Sequence, residues 1–288
     1  MGEAKPFSIT RQEVYNAYRK VKANKGAAGI DGQSIAEFEV NLKDNLYKIW
    51  NRMSSGSYFP PSVKRVEIPK DDGKTRPLGI ATVADRIAQT VVKQRLEPTL
   101  EAIFHPDSYG YRPGRSPLQA VKVARERCWR YDWVVDLDIE SFFETINHEL
   151  LMKAVRKHTD CKWMLLYIER WLKAPVQLQD GTLQQRLKGT PQGGVISPVL
   201  SNIFLHYVVD KWLQIKYPSI PFERFADDMI CHCKTRNQAL WLKGVLEERL
   251  KQCGLKLNQQ KTKIVYCQDG KRKETYPNRT FDFLGFTF

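Results

Sequence analysis

Three carboxylates sit where the local pattern expects apolar side chains. Asp138 ends the run Val134-Val135-Asp136-Leu137, and Asp227 and Asp228 stand together between Phe225 and Met229. Neighbouring side chains on a strand point to opposite faces. At ideal geometry only one of Asp227 and Asp228 can therefore share a face with Asp138, and a turn relaxes that limit. Carboxylates grouped this way repel unless a cation, a proton or an arginine offsets the charge. Hard divalent ions such as Mg²⁺, with Mn²⁺ as a substitute, favour such a site. Two of them would clamp the attacking and the leaving oxygen of a phosphoryl transfer. The bland alternative is an Asp-Asp turn with Asp138 capped or ion-paired, since Asp is a favoured turn residue.

Elements must bring these acids together. Residues 132–139 alternate like a strand, and a helix follows from about Asn147, a plausible N-cap. Another helix is expected over 198–215, with Pro198 in its first turn. Residues 222–232 read as two short strands meeting at the paired aspartates. The stripe Ala239, Leu242, Val245, Leu246 and Leu250 predicts an amphipathic helix over 237–252, closed by Gly254, and 262–267 reads as a last strand. This order predicts an α+β protein whose small sheet carries helices on one face, a split βαβ, ferredoxin-like arrangement.

Ahead of it, helices are expected over 8–24 and 34–53, separated by the Gly-rich loop Lys25–Gly32. Strands 63–69 and 75–80 flank Asp71-Asp72-Gly73-Lys74, a hairpin turn signal. A helical face runs from Ala84 to Phe104, with a break or a kink expected at Pro98. The tight segment Tyr109–Pro117 leads into a helix over 118–130, and 281–288 form a short apolar end.

The chain has 288 residues, 46 Lys and Arg against 32 Asp and Glu, and a net charge of +14. That excess favours a polyanionic partner. The most apolar stretch, Val195–Val209, is shorter than a bilayer span and interrupted by Ser197, Pro198, Asn202 and His206. No membrane association is expected, and the N-terminus does not read as a secretory signal. The six cysteines lack disulfide-scaffold spacing, and Cys231-His232-Cys233 has no second ligand pair at zinc spacing. Reduced thiols in a cytoplasmic protein are expected.

The flanking residues sharpen the reading. Asp138-Ile139-Glu140-Ser141-Phe142-Phe143, then Gly189–Pro198, then Phe225-Ala226-Asp227-Asp228 follow in order, and Gly254–Lys263 and Phe283-Leu284-Gly285-Phe286 come behind them. Ile68–Ile80 and Tyr109–Ser116 lie ahead. Together these resemble the reverse transcriptase of group II intron-encoded maturases, over nearly the whole chain from Gly26 to Phe286. The loop Lys25–Gly32 resembles the extra motif this family carries ahead of its fingers.

The resemblance implies a right-hand polymerase with fingers and palm and a helical N-terminal extension. Residues 1–88 would be extension and fingers, 89–142 the first part of the palm, 143–187 an insertion and 188–288 the second part of the palm, with the thumb absent. It implies RNA-directed DNA polymerase activity, with intron RNA and template RNA, a DNA primer and dNTPs as partners. Asp138 and Asp227 would hold two Mg²⁺ ions, with Ile139 in the same metal site and Asp228 assisting. Asp136, on the strand face of Asp138, would stand behind them. Phe143 matches the bulky residue that blocks a ribose 2′-OH. Gln192 would hydrogen-bond near the incoming base pair, and Arg76, Lys70 and Arg65 would meet the triphosphate. Lys25, Arg112 and Arg115 would contact RNA. Lys261 would protonate the leaving pyrophosphate, with Lys263 as its competitor.

Two departures stand out. Phe225 occupies the place where the family most often has Tyr, so a hydroxyl is missing beside the primer end. The sequence also stops just after Phe-Leu-Gly-Phe, and a chain cut short of its thumb would expose apolar surface and could form a homodimer. The rival readings are an intron-RNA-binding splicing cofactor with secondary polymerase chemistry, and a two-metal nuclease, which leaves Arg76 without a role.

Overall fold

A computed structural model describes residues 5–69, 73 and 75–288. Ten strands are described: β1 (Val63–Pro69), β2 (Thr75–Ile80), β3 (Trp133–Leu137), β4 (Val176–Gln177), β5 (Leu183–Gln184), β6 (Phe222–Phe225), β7 (Asp228–Cys233), β8 (Lys263–Tyr266), β9 (Asp282–Phe283) and β10 (Phe286–Thr287). The chain divides into two compact units, Met1–Leu100 with Leu151–Leu200, and Glu101–Leu150 with Ser201–Phe288. The fingers and palm segments expected from sequence have their boundaries after residues 88, 142 and 187.

In the first unit the helix Arg11–Asn24 starts at a capping box, in which Thr10 accepts from the Glu13 amide and Glu13 accepts from that of Thr10. Its buried stripe is Val14, Ala17, Tyr18 and Val21. The expected helix over 34–53 breaks at Asn41 into Ile35–Val40 and Leu42–Ser55. A Gly29 Cβ would lie 2.6 Å from the Thr82 backbone nitrogen, so only glycine lets the loop sit this close. Arg86 secures the same loop by donating to the carbonyls of Lys25 and Ala27 at 3.1 and 2.9 Å. Arg86 belongs to the helix Val83–Glu101, which continues through Pro98. At its start the buried Asp85 accepts from Tyr58 Oη, Trp171 Nε1 and Gln89 Nε2 at 2.9, 2.7 and 2.9 Å.

The sheet of this unit has the order β2-β1-β4-β5. The β1–β2 hairpin is in the expected place, whereas β4 and β5, two residues each, are too short to read from periodicity.

The second unit is built on an antiparallel sheet of order β6-β7-β3-β8. In chain order this is 2-3-1-4: β3 and β6 flank β7, while β7 and β8 flank β3. Each βαβ half is thus split by a strand of the other, the expected palm topology. Helix Arg236–Gln252 buries Ala239, Leu242, Leu246 and Leu250. The helix Pro117–Cys128 buries Ala120 and Ala124 in a cluster with Val134, Ile230, Val265 and Phe283. The helix expected over 198–215 is three pieces: α-helix Ser197–Leu205, a π turn His206–Asp210 and α-helix Lys211–Lys216. The apolar end is a hairpin of β9 and β10. No described helix is long and apolar enough to cross a membrane.

Candidate active site

Strand pairing converges the acids. Leu137 of β3 faces Met229 of β7, and Phe225 of β6 faces Asp228 across the turn Ala226-Asp227. One step past the last bonded β3–β7 pair, the register sets Asp138 opposite Asp228, and opposite residues share a face. Asp138 is fixed where its strand ends. Its amide donates to Thr262 Oγ1 at 3.2 Å, and its carbonyl accepts from the Asn258 amide at 2.9 Å. Ile139 is buried and bridges Leu257. The two bonds of that bridge, Glu140 amide to Lys256 carbonyl and Asn258 amide to Asp138 carbonyl, leave the Ile139 carbonyl out of it.

The electrostatics match the crowding. The Asp228 carboxyl is raised to about 6, first by loss of water around it and then by the charges of Asp227 and Asp138, with Lys261 opposing. Asp136 is also raised to about 6, by burial foremost, with Lys263 opposing and Asp228 and Asp138 adding to the rise. Lys261 Nζ stands 3.8 Å from Asp138 Oδ1, while Lys263 lies across the strand pair from Asp136. The two lysines the sequence left unresolved thus face different acids.

The donor set suits hard divalent ions: carboxylates at adjoining strand ends whose mutual repulsion a cation would relieve. Among the described residues no group of three or more His, Cys, Asp or Glu side chains is already gathered at metal-binding spacing. The ions would be held by Asp138 and Asp227, with Asp228 beside them. In the Cys231-His232-Cys233 segment, His232 Nε2 meets Glu223 Oε2 at 2.6 Å inside the sheet, and all six cysteines are free thiols.

Other expected site residues are placed as follows. Phe143 is buried and packs edge-on against Phe142, centroids 5.2 Å apart. In the first unit, exposed Arg76 donates through Nε to Gln192 Oε1, and the Gly79 amide donates to the Gln192 carbonyl at 2.6 Å. Gly193 has φ of 94°, and a Cβ there would lie 2.9 Å from the Gly79 carbonyl oxygen. The glycine therefore permits the loop–hairpin contact that joins Arg76 to Gln192. Arg65 is half-buried and paired with Glu67 at 2.6 Å. Lys70 lies outside the described residues. Lys25 and Arg115 are exposed.

Arg112 departs from the expectation of an RNA contact. It is buried, and its guanidinium donates to Glu101 at 3.0 Å and to the carbonyls of His105 and Ser108 at 2.8 and 2.5 Å. Its fork faces the protein. A basic residue in a Pro-Gly loop reads as surface, and only the inward carbonyls reveal otherwise.

Sequence reasoning also missed a buried charged layer under the acids. Arg224 pairs with Asp210, and Glu223 takes both Arg127 and His232. The available signal was Glu223-Arg224, two charges inside the apolar strand segment that leads to Ala226-Asp227.

This sheet and its acid turn define the palm of a right-hand polymerase. The family model for reverse transcriptase (RNA-dependent DNA polymerase) matches residues 68–288. The chain belongs to the reverse transcriptase family, and it is similar to the group II intron-encoded members of it. It is 36% identical to protein YkfC of Escherichia coli, over 91% of this chain and 79% of that one. It is 34% identical to the group II intron-encoded protein LtrA of Lactococcus lactis, over 77% of this chain and 37% of LtrA. The fold matches that of a telomerase from Candida albicans with a TM-score of 0.61 at 15% identity, covering 88% of this chain and 48% of that one. The chain thus spans most of YkfC but well under half of LtrA.

Proposed function

We propose that this protein extends a DNA primer on an RNA template, and that in its setting the RNA is a group II intron whose splicing and mobility it assists. In the transfer, the primer 3′-hydroxyl oxygen bonds to the α-phosphorus of a dNTP as its proton passes to solvent. The bond from that phosphorus to the bridging oxygen breaks, and pyrophosphate leaves with the electron pair. Divalent ions bound at the aspartates would supply charge neutralisation at the reacting oxygens. Asp138 and Asp227 would hold those ions, with Asp228 beside them. Lys261, beside Asp138, delivers a proton to the departing pyrophosphate.

Arg76 offers its fork to the triphosphate, and Gln192, bonded to it, offers an amide to the nascent pair. Phe143 forms the wall against a 2′-hydroxyl. The net charge of +14 supports RNA retention through phosphate contacts. The observation that carries the reading is the strand register that sets Asp138 opposite Asp228, next to the turn that bears Asp227.

The test is single-nucleotide addition to a DNA primer annealed to RNA, offered each dNTP in turn with Mg²⁺. Incorporation of the complementary nucleotide alone is expected. A protein that binds intron RNA in a salt-sensitive way but adds no nucleotide would be a splicing cofactor instead.

A further inference from the structure

We propose that Arg224 is the positioning residue of the site, holding the turn that carries Asp227 in its metal-binding shape before any ion arrives. The proposal rests on the polymerase reading above and concerns how its acids are held.

Every guanidinium hydrogen of Arg224 has a partner. Nε donates to Asp210 Oδ1 at 2.7 Å, and Nη2 to Asp210 Oδ2 and Ser108 Oγ at 2.6 and 2.7 Å. Nη1 donates to Asn202 Oδ1 at 3.0 Å and to the Ala226 carbonyl at 2.8 Å. That last acceptor is the peptide oxygen directly before Asp227. The side chain is 1% exposed and Asp210 is 0% exposed, so neither charge is screened by water.

The turn needs holding. Ala226 adopts φ of 57°, a left-handed conformation that disfavours a residue with a Cβ. An aspartate on such a turn, beside two other carboxylates, has electrostatic reason to swing away. The turn is fixed from two sides. Arg224 anchors its carbonyl, and the backbone at Gly110 packs so tightly that a Cβ there would lie 2.2 Å from the Ala226 nitrogen. The Asn202 amide bonds Gly110 at 2.7 Å, which ties the two supports together. The bidentate Arg224–Asp210 pair fixes the direction of the fork, and that direction is what a lysine would lose.

The test measures metal binding without turnover, by Mn²⁺ paramagnetic resonance titration of the protein alone. Arg224→Lys keeps the charge beside Asp210 and withdraws the fork. The double variant Asp210→Asn/Arg224→Gln removes both charges without stranding either. Each is expected to weaken Mn²⁺ binding by roughly tenfold or more, the scale of one lost charge-assisted hydrogen bond. RNA affinity and the thermal midpoint of Arg224→Lys should leave it folded in the assay.

Unchanged Mn²⁺ affinity in a folded variant overturns the proposal. If neither variant folds, hydrogen exchange on the wild type decides. A turn already formed by Arg224 should show its 226–229 amides slowed less than about threefold by Mg²⁺, and greater slowing overturns the proposal. Wild type that binds Mn²⁺ no better than Asp227→Asn is a different failure. It removes the metal site itself, and the positioning role with it.

Discussion

Lys261 Nζ lies 3.8 Å from Asp138 Oδ1, at the end of the loop that also pins the Asp138 backbone through Thr262 and Asn258. One segment therefore supplies both an acid's support and its cationic neighbour. Lys263, two residues on, faces Asp136 instead.

This separation gives unequal outcomes for the two lysines. Lys261→Ala should lower the single-turnover rate of nucleotide addition by roughly 10²-fold or more, the range of lost general-acid help. Lys263→Ala should change that rate only a few-fold, roughly the effect of an altered neighbouring field. Single-turnover rates for both variants, measured across pH, check the assignment. Equal losses would contradict it.

The raised acids set a pH dependence in metal-free protein. Asp136 titrates near 6 in the fold, above its ordinary value, so the folded state binds the extra proton. Its contribution to stability is present in full below the unfolded-state value and is lost as pH rises through about 6. Without metal, Asp136→Asn should therefore raise the thermal midpoint at pH 7.5 relative to wild type and change it little at pH 4. Thermal melts of both proteins at the two pH values, with EDTA, make the measurement. A larger gain at the acidic pH would reverse the sign and refute the burial argument.

Gly110 gives a purely steric prediction. An added methyl would meet backbone atoms of Phe225 and Ala226, which cannot rotate aside as a side chain would. Gly110→Ala should cost about 1–3 kcal/mol, as overpacking does. It should also weaken metal-dependent addition beyond what the lost stability explains. Urea unfolding alongside addition kinetics separates the two effects.

The palm was readable from sequence because its signals are local or ordered. The stripe Ala239, Leu242, Leu246 and Leu250 has the helical period, and the acids stand out against Val134, Val135 and Met229. Capping at Thr10 and Ser34 spans three residues, so the first helices announce their starts. What was hidden depends on contacts distant in the chain. Arg224 meets Ser108, 116 residues away, and its place beside Glu223 in an apolar strand segment signals burial without naming these partners. Arg112 was misplaced for a different reason: its partners Glu101, His105 and Ser108 are near in sequence, but a Pro-Gly loop does not show which way the side chain turns. The π turn at His206–Asp210 is masked because Val208 and Val209 continue the apolar run. The break at Asn41 is also hidden, since apolar residues recur on both sides of it.

Phe143 offers a test of sugar selection. It is buried against Phe142, so deletion to Ala risks a core cavity, and Phe143→Val is the gentler change. If its ring is the wall against a 2′-hydroxyl, Phe143→Val should reduce discrimination between dNTP and rNTP by roughly tenfold or more, with a small change in the dNTP rate. The ratio of the two kcat/KM values is the readout. An unchanged ratio would leave Phe143 as core packing alone.

The central claim is that Asp227, held on its turn beside Asp138 and Asp228, carries the metal chemistry of RNA-templated DNA synthesis. It is tested most directly by single-turnover addition of one complementary dNTP to a primer on RNA, comparing wild type with Asp227→Asn at saturating Mg²⁺. The account predicts that the substitution lowers the rate by at least roughly 10³-fold, as expected when charge stabilisation of the transition state is removed, while RNA binding and the thermal midpoint hold. Addition by Asp227→Asn at a rate near that of wild type would contradict it.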